Sequence, residues 1–133
     1  MVLVDTNILI DIATKDLQWY AWSSAQLASL VSQGKAAINP IIYAELAPAF
    51  ANETELDSKL LPPDLIIRLP LPYSAAFSAA RAFMSYRKSG GIKTSPLPDF
   101  YIGAHAEAES LTLLTRDPVR YRTYFPQVQL ITP

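Results

Sequence analysis

The sequence predicts an α/β fold with three layers, in which a central, mainly parallel sheet is covered by helices on both faces. Short apolar segments typical of buried strands alternate with segments whose apolar residues recur at helical spacing. A length of 133 residues and a hydrophobic content of 50% fit one compact core. We therefore expect a single domain over residues 1–133.

The first half of the chain predicts two strands, Met1 to Val4 and Ala36 to Ile38. A brief helix is expected after an Asp-Thr-Asn turn, and Asn39-Pro40 is a typical helix start with a capping residue and a proline at the first position. The predicted helices run over Ile8 to Ala13, from Leu17 to Ser32 with Asp16 as cap, through Ile41 to Phe50, and around Glu53 to Leu60.

The second half predicts three further strands and two helices. Between the helices, Ser89 to Pro98 is the least regular stretch and is predicted to be a mobile loop. The strands are expected over Leu65 to Leu69, Leu111 to Leu114 and Val128 to Ile131, and the helices over Tyr73 to Lys88 and Asp99 to about Glu109.

Composition excludes several classes of protein. The chain has no cysteine, which rules out disulfides, thiolate metal sites and a cysteine nucleophile, and one histidine argues against zinc sites built from several imidazoles. No apolar run approaches the length that spans a bilayer, and no basic, then apolar, leader opens the chain. We expect a cytoplasmic protein without membrane contact.

Four acidic residues occupy places that converge in the predicted fold. Asp5 and Asp117 directly follow apolar strands, Asp99 stands at a helix start, and Glu45 lies early in the helix after the second strand. In open α/β sheets, ligands bind at the carboxyl ends of the strands. We therefore expect these four side chains at one edge of the sheet.

Such a cluster needs a cation. Two carboxylates about 5 Å apart repel by roughly 3 kcal/mol at an effective dielectric of 20. Oxygen ligands without nearby histidine or cysteine favour Mg²⁺ or Mn²⁺ over zinc. The matching chemistry is phosphodiester cleavage, in which a divalent ion activates a water and neutralises charge on phosphate oxygens.

The charge balance is compatible with an RNA substrate. The net charge is −1, but four of the 12 acidic residues belong to the proposed site, which leaves eight against 11 basic residues. Arg87, Lys93 and Arg116 are the possible RNA contacts. A solvated surface explains the charges equally well, and Arg116 could instead pair with nearby acids. Asp11 is expected at a solvated helix position.

Four segments, in this order and spacing, resemble the PIN domain, and more narrowly the VapC-type toxins of bacterial type II toxin–antitoxin pairs. The resemblance covers essentially the whole chain. The segments are Val4-Asp5-Thr6-Asn7, Tyr43-Ala44-Glu45-Leu46, Pro98-Asp99-Phe100-Tyr101-Ile102-Gly103-Ala104-His105-Ala106 and Leu114-Thr115-Arg116-Asp117.

The resemblance implies a site that binds Mg²⁺ or Mn²⁺ through Asp5, Glu45, Asp99 and Asp117. Thr6, Asn7 and Thr115 would be its supporting polar residues. It further implies an endoribonuclease that forms a homodimer and is held inactive by a VapB-like antitoxin. The chain departs from the family's pattern where Pro118 follows Asp117 and the common aromatic residue comes later.

Two alternatives remain at this point. Receiver and dehalogenase-like domains also place an aspartate after the first strand, so Asp5 could accept a phosphoryl group. The dehalogenase pattern, however, has a second aspartate where this chain has Asn7, and Arg116 occupies the nearest place to the lysine that either scheme needs. The other alternative is a PIN-like module that binds RNA or a partner without cleaving it.

Overall fold

The structure, a computed structural model, describes residues 1–94 and 97–133. Five short strands form one sheet in the order β3-β2-β1-β4-β5, and each neighbouring pair is parallel. The strands are β1 (Val2–Val4), β2 (Ala36–Ile38), β3 (Ile67–Arg68), β4 (Thr112–Leu114) and β5 (Leu130–Ile131).

Within residues 1–94 and 97–133, seven α-helices connect the strands. From β1 the chain adds β2 and β3 on one side of the sheet, and it then returns to add β4 and β5 on the other side. Because the crossovers are right-handed, the helices before β3 cover one face of the sheet and the helices after β3 cover the other. The helices are α1 (Thr6–Thr14), α2 (Tyr20–Ser32), α3 (Pro40–Leu46), α4 (Glu53–Lys59), α5 (Tyr73–Lys88), α6 (Pro98–Ala108) and α7 (Val119–Tyr124). The predicted three-layer α/β/α fold is confirmed.

The strand order reverses between β1 and β4, which is where open α/β sheets bind ligands. The two strands pair with Val4 opposite Leu114, and the Asp5 amide donates to the Leu114 carbonyl at 2.9 Å. Asp5 and Thr115 therefore leave the sheet side by side. The buried residues of these strands, with Ile8, Ile42 and Phe100, belong to the core beneath this edge.

Several boundaries differ from the predicted ones for local reasons. Asp16 accepts hydrogen bonds from the Gln18 and Trp19 amides, so it caps a turn, and α2 begins only at Tyr20. α3 ends at Leu46 because Pro48 lacks the amide proton that would continue it, and a 3₁₀ turn over Ala47–Ala49 follows.

Four of the predicted strands are longer than the observed ones, β2 has the predicted bounds, and one helix was not predicted. The segments Leu65 to Leu69 and Val128 to Ile131 each contribute two paired residues, and Leu65 is exposed. α7 was missed, whereas α5 has the predicted bounds. The predicted mobile loop includes Ser95 and Pro96, which lie outside the described residues.

α7 lies close to α6 because Gly103 has no side chain. A Cβ at Gly103 would lie 2.3 Å from Cδ2 of Phe125, the residue that ends α7. Phe125 is buried, as is Tyr121 one turn earlier. Within the described parts of the chain, each helix is too short or too polar to cross a lipid bilayer.

Candidate active site

Asp5 is the centre of the site. It ends β1, caps α1 with extended backbone angles and is 3% exposed. Its Oδ1 accepts the Thr6 amide at 2.7 Å. Its Oδ2 accepts the Thr115 hydroxyl at 2.8 Å, the Tyr121 hydroxyl at 2.9 Å and the Asn7 amide group at 3.3 Å. One carboxylate oxygen is thus fully hydrogen-bonded, whereas the other accepts a single described bond.

Thr115 and Asn7 join the ends of β1 and β4. The Thr115 hydroxyl oxygen accepts Asn7 Nδ2 at 3.2 Å and the Asp117 amide at 3.1 Å. The Arg116 amide in turn donates to Asn7 Oδ1 at 3.2 Å. The structure therefore brings both predicted supporting residues into contact with Asp5, and it holds the backbone of Asp117 next to them.

Glu45 reaches the site through Thr6. Asn39 caps α3 by accepting the Ile42 amide, which sets the phase of the helix that carries Glu45. The Thr6 hydroxyl donates to Glu45 Oε1 at 2.6 Å, while the Thr6 amide bonds Asp5. One threonine thus links the first two acids.

Asp99 lies in the first turn of α6 and is partly exposed. The Tyr121 hydroxyl is 3.4 Å from its Oδ1, and Arg120 Nη1 is 3.6 Å from its Oδ2. Tyr121 therefore lies between Asp5 and Asp99, as Thr6 lies between Asp5 and Glu45. Asp117, the fourth predicted acid, has an exposed side chain.

Burial, reinforced by neighbouring carboxylates, raises the pKa values of Asp5, Glu45 and Asp99. Burial raises the pKa of Asp5 from 3.8 to about 6, and the charge of Asp99 adds to this, against the hydrogen bonds from Thr115, Tyr121 and Thr6. Burial also raises the pKa of Glu45 and of Asp99, with further contributions from Asp99 and Asp117, respectively. Each of the four carboxylates is therefore close enough to another to affect its ionisation.

The carboxylate oxygens of the four acids are the type of ligand that a hard divalent cation binds, although these groups do not converge on one point. In residues 1–94 and 97–133, no group of three or more acidic, histidine or cysteine side chains is arranged to hold a metal ion. The Thr6 hydroxyl donates to Glu45, and the Tyr121 hydroxyl lies between Asp5 and Asp99. Neighbouring carboxylates repel one another, and a bound cation would relieve that repulsion.

Arg116, a predicted RNA contact, is committed elsewhere. Its Nε and Nη2 donate to the two carboxylate oxygens of Asp11 at 2.8 and 2.9 Å, and its guanidinium lies 5.7 Å from the Trp19 ring centre. Asp11 was expected in solvent but is 1% exposed and also accepts the Ser23 hydroxyl. Arg116 therefore neutralises a buried acid, which is the alternative the sequence left open.

The other predicted RNA contacts, Arg87 and Lys93, are exposed near the Asp99 side of the site. Arg87 Nη1 donates to the Lys93 carbonyl at 2.6 Å, and the Lys93 amide donates to the Tyr86 hydroxyl at 3.4 Å. Tyr86 lines a cavity of about 370 Å³ together with Asp99 and Asp117. Both basic residues thus lie beside a cavity that the acids share.

Tyr121 and Arg120 are site residues that the sequence did not single out. Both lie on α7, a helix of six residues that is too short for a visible apolar period. The only available indication was the aromatic run that follows Asp117. His105, by contrast, is fully buried and within 3.0 Å of Asn39 Nδ2, which agrees with a structural role.

The chain matches the family model described as PIN domain over residues 2–126. It belongs to the PIN domain family. PIN domains of the VapC toxins are generally nucleases, and PIN domains generally use divalent metal ions. This membership removes the phosphoryl-transfer alternative, because receiver and dehalogenase-like domains belong to other families. Among curated protein sequences, none matches this chain significantly.

Solved structures of toxin–antitoxin complexes contain chains with the same fold. FitAcB from Neisseria gonorrhoeae matches with a TM-score of 0.69 and 27% identity over 98% of this PIN domain chain and 96% of that one. VapBC2 from Rickettsia felis, bound to a DNA fragment from their promoter, matches with a TM-score of 0.71 and 22% identity over 99% and 98%. VapBC-1 from nontypeable Haemophilus influenzae matches with a TM-score of 0.70 and 21% identity over 99% of this chain and 98% of that one.

Proposed function

We propose that this protein is a divalent-metal-dependent endoribonuclease and the toxin of a type II toxin–antitoxin pair. The observation that carries the proposal is the buried Asp5 at the switch point of a PIN fold, linked to Glu45 through Thr6 and to Asp99 through the Tyr121 hydroxyl. Burying a carboxylate at a raised pKa costs stability, and a cation site explains why that cost is retained.

Asp5, Glu45 and Asp99 are the proposed metal ligands, with Asp117 as the fourth acid. Among the described hydrogen bonds, Asp5 Oδ1 accepts one, and neither Glu45 Oε2 nor the Asp117 carboxylate accepts any, so these oxygens can turn to Mg²⁺ or Mn²⁺. When bound, such an ion supplies positive charge to the phosphate and acidity to a water.

The chain's own residues have separate tasks in this mechanism. Thr115, Tyr121 and Asn7 fix Asp5 Oδ2, so that only Oδ1 is available at the site. The Thr6 hydroxyl fixes Glu45 Oε1, so that Oε2 is the Glu45 oxygen left for the ion.

The partner that we propose is a VapB-like antitoxin, because the matched structures are of toxin–antitoxin complexes from several bacteria. We further propose a cytoplasmic homodimer whose chain is a single PIN domain over residues 1–133. Size-exclusion chromatography with light scattering, with and without the product of a neighbouring short gene, measures both associations. A monomer that binds no such product would contradict this part of the proposal.

The decisive test is RNA cleavage by the wild type and by Asp5→Asn. We expect cleavage of total RNA with Mg²⁺ or Mn²⁺, none with a chelator, and a loss of at least about 100-fold in the variant. Asp64→Asn is the matched control, since Asp64 is an exposed acid in a turn. Sequencing of RNA ends after controlled expression would identify the cleaved sites. Equal cleavage by wild type and Asp5→Asn would refute the nuclease.

A second candidate is a non-cleaving RNA-binding PIN module. The observation that favours it is the separation of the acids, which form no ready metal group in the described residues. This module would bind RNA equally well with and without a chelator and would yield no new RNA ends. The same experiments therefore distinguish the two candidates.

A further inference from the structure

Arg120 lies at the acidic site, but its hydrogen-bond donors remain available. Its Nη1 lies 3.6 Å from Asp99 Oδ2, and among the described residues its side chain donates no hydrogen bond. Its guanidinium carbon lies 5.5 Å from the ring centre of Phe100 and 5.8 Å from that of Tyr86. The two rings therefore position the cation and leave its donors available.

Arg116 shows the opposite arrangement and serves as an internal comparison. It donates two short hydrogen bonds to Asp11, whose carboxylate is buried. A guanidinium in such a fork has few donors left for a substrate. Of the two arginines that flank Asp117 and Val119, Arg120 is the one that retains the capacity to bind an anion.

The surroundings of Arg120 suit a nucleotide. The cavity of about 370 Å³ that contains Arg120 is lined by Asp99 and Asp117 at the acidic side and by Tyr86 and Tyr124. It therefore joins the proposed metal ligands to aromatic surface within one space, and its volume is in the range typical of small-ligand sites. The exposed Arg87 and Lys93 lie close to Tyr86, a lining residue: the Lys93 amide donates to the Tyr86 hydroxyl, and Arg87 donates to the Lys93 carbonyl.

We propose that Arg120 binds a backbone phosphate of single-stranded RNA at the acidic site, with the cavity receiving the adjoining nucleotide. This proposal rests on the proposed nuclease function. Four acids repel a polyanion, so a phosphate that approaches Asp99 needs a cation of the protein beside it. The planar guanidinium offers two parallel donors to phosphate oxygens, and exchanging Asp99 for a phosphate breaks only a long ion pair.

The first test is steady-state cleavage of a fluorescent RNA by Arg120→Met, with Arg122→Met as matched control. Methionine keeps apolar contact with the two rings but removes the charge. Arg122 lies on the same helix and is exposed, so its variant loses the same charge outside the cavity. We expect kcat/KM to fall at least about 30-fold for Arg120→Met and less than about twofold for Arg122→Met.

The second test is binding, which does not depend on cleavage. In an Asp5→Asn background, fluorescence anisotropy with a short labelled single-stranded RNA measures Kd for the same variants. We expect Arg120→Met to weaken binding at least about fivefold relative to Arg122→Met, and Arg120→Lys, which keeps a point charge, to restore part of it. The melting shift with Mn²⁺ should be at least as large in Arg120→Met as in the wild type, because loss of a cation beside Asp99 does not weaken the attraction of a divalent ion, and this separates RNA binding from metal binding.

The outcomes separate the two proposals. If the wild type binds RNA through Arg120 but does not cleave it, the nuclease is refuted and the phosphate site stands. If Arg120→Met cleaves and binds like Arg122→Met, the phosphate site is refuted whatever the activity. If Arg120→Met does not fold, Arg120→Lys decides: wild-type cleavage and binding would overturn the proposal, and reduced values for both with a normal Mn²⁺ shift would support it.

Discussion

Asp5 and Tyr121 lie 116 positions apart in the sequence and share a buried hydrogen bond of 2.9 Å from the phenol to Oδ2. The same hydroxyl lies 3.4 Å from Asp99 Oδ1, so α7 connects the acids that follow β1 and begin α6. Tyr121 is 1% exposed. Its hydroxyl therefore has no competing water and holds two repelling carboxylates at a fixed separation.

Tyr121→Phe should destabilise the metal-free protein by about 1.5–3 kcal/mol when Asp5 is ionised, because a hydrogen bond to a charged group is lost. The bond favours the charged form of Asp5, so its removal raises the pKa of Asp5 further. The loss should therefore be larger near about pH 8 than near about pH 5. Urea denaturation at the two pH values measures it. Tyr73→Phe is the control, since Tyr73 is 95% exposed, and equal losses in both variants would contradict the role of Tyr121.

The metal-free protein should lose stability as the pH rises from about 4 to about 6. The pKa of Asp5 is about 6 in the folded state, above its ordinary 3.8, so the folded protein holds the extra proton in this interval. Ionisation of Asp5 then costs about 3 kcal/mol at neutral pH, and the raised pKa values of Glu45 and Asp99 act in the same direction. Denaturation with a chelator over this range measures the slope.

Asp5→Asn is the variant that checks this pH dependence, because it removes the largest contribution and should flatten the curve. Asn can keep the Thr6 cap through its carbonyl oxygen, so the fold should persist. Asp64→Asn, which changes an exposed acid, should keep the wild-type slope. If the free energy of unfolding of the wild type rises through the same pH interval, ionisation of these acids does not destabilise the folded protein as predicted.

Mn²⁺ should raise the melting temperature by linkage. An ion at about 100 times its Kd adds about 2.7 kcal/mol to the free energy of unfolding, which for a chain of this size is on the order of 10 °C. Asp5→Asn should remove most of the shift, and Asp64→Asn should retain it. Differential scanning fluorimetry measures both. No shift of the wild type at millimolar Mn²⁺ would count against a metal site among these acids.

Arg116→Ala should destabilise the protein by about 3 kcal/mol or more, because it leaves the buried Asp11 charge without its partner. Adding Asp11→Asn should recover part of that loss, so that the double variant is more stable than the sum of the single changes predicts. Chemical denaturation of the four proteins completes the cycle. Additive losses would mean that the two side chains are not energetically coupled. If Arg116→Ala were as stable as the wild type but lost RNA binding, Arg116 would be an RNA contact instead.

The fold was predictable where local chemistry is decisive. Asn39 and Pro40 define a helix start because a side-chain cap and a fixed φ act within a few residues, and α5 has the predicted ends. The positions of Asp5 and Thr115 followed from apolar strands that end in polar residues. The order of the acids along the chain was sufficient to place them at one edge of the sheet.

What the sequence did not reveal depends on contacts between distant residues. The pairing of Asp11 with Arg116 spans 105 positions, and in the sequence Asp11 looks like an ordinary polar position on α1. The same holds for Tyr121, which reads as a core aromatic until its hydroxyl is placed between two acids. The separation of the carboxylates depends on side-chain contacts that no spacing along the chain describes.

Gly103 affects the arrangement of the site although it is not one of the site's acids. A methyl group at Gly103 would overlap the Phe125 ring. The absence of a side chain at this position of α6 therefore sets the distance between α6 and α7. That short helix carries both the phenol of Tyr121 and the guanidinium of Arg120. The absence of a side chain at this interior position, rather than any acid, therefore determines whether the Tyr121 hydroxyl and the Arg120 guanidinium lie together beside Asp99. A larger residue there should displace both groups while leaving every carboxylate in its place.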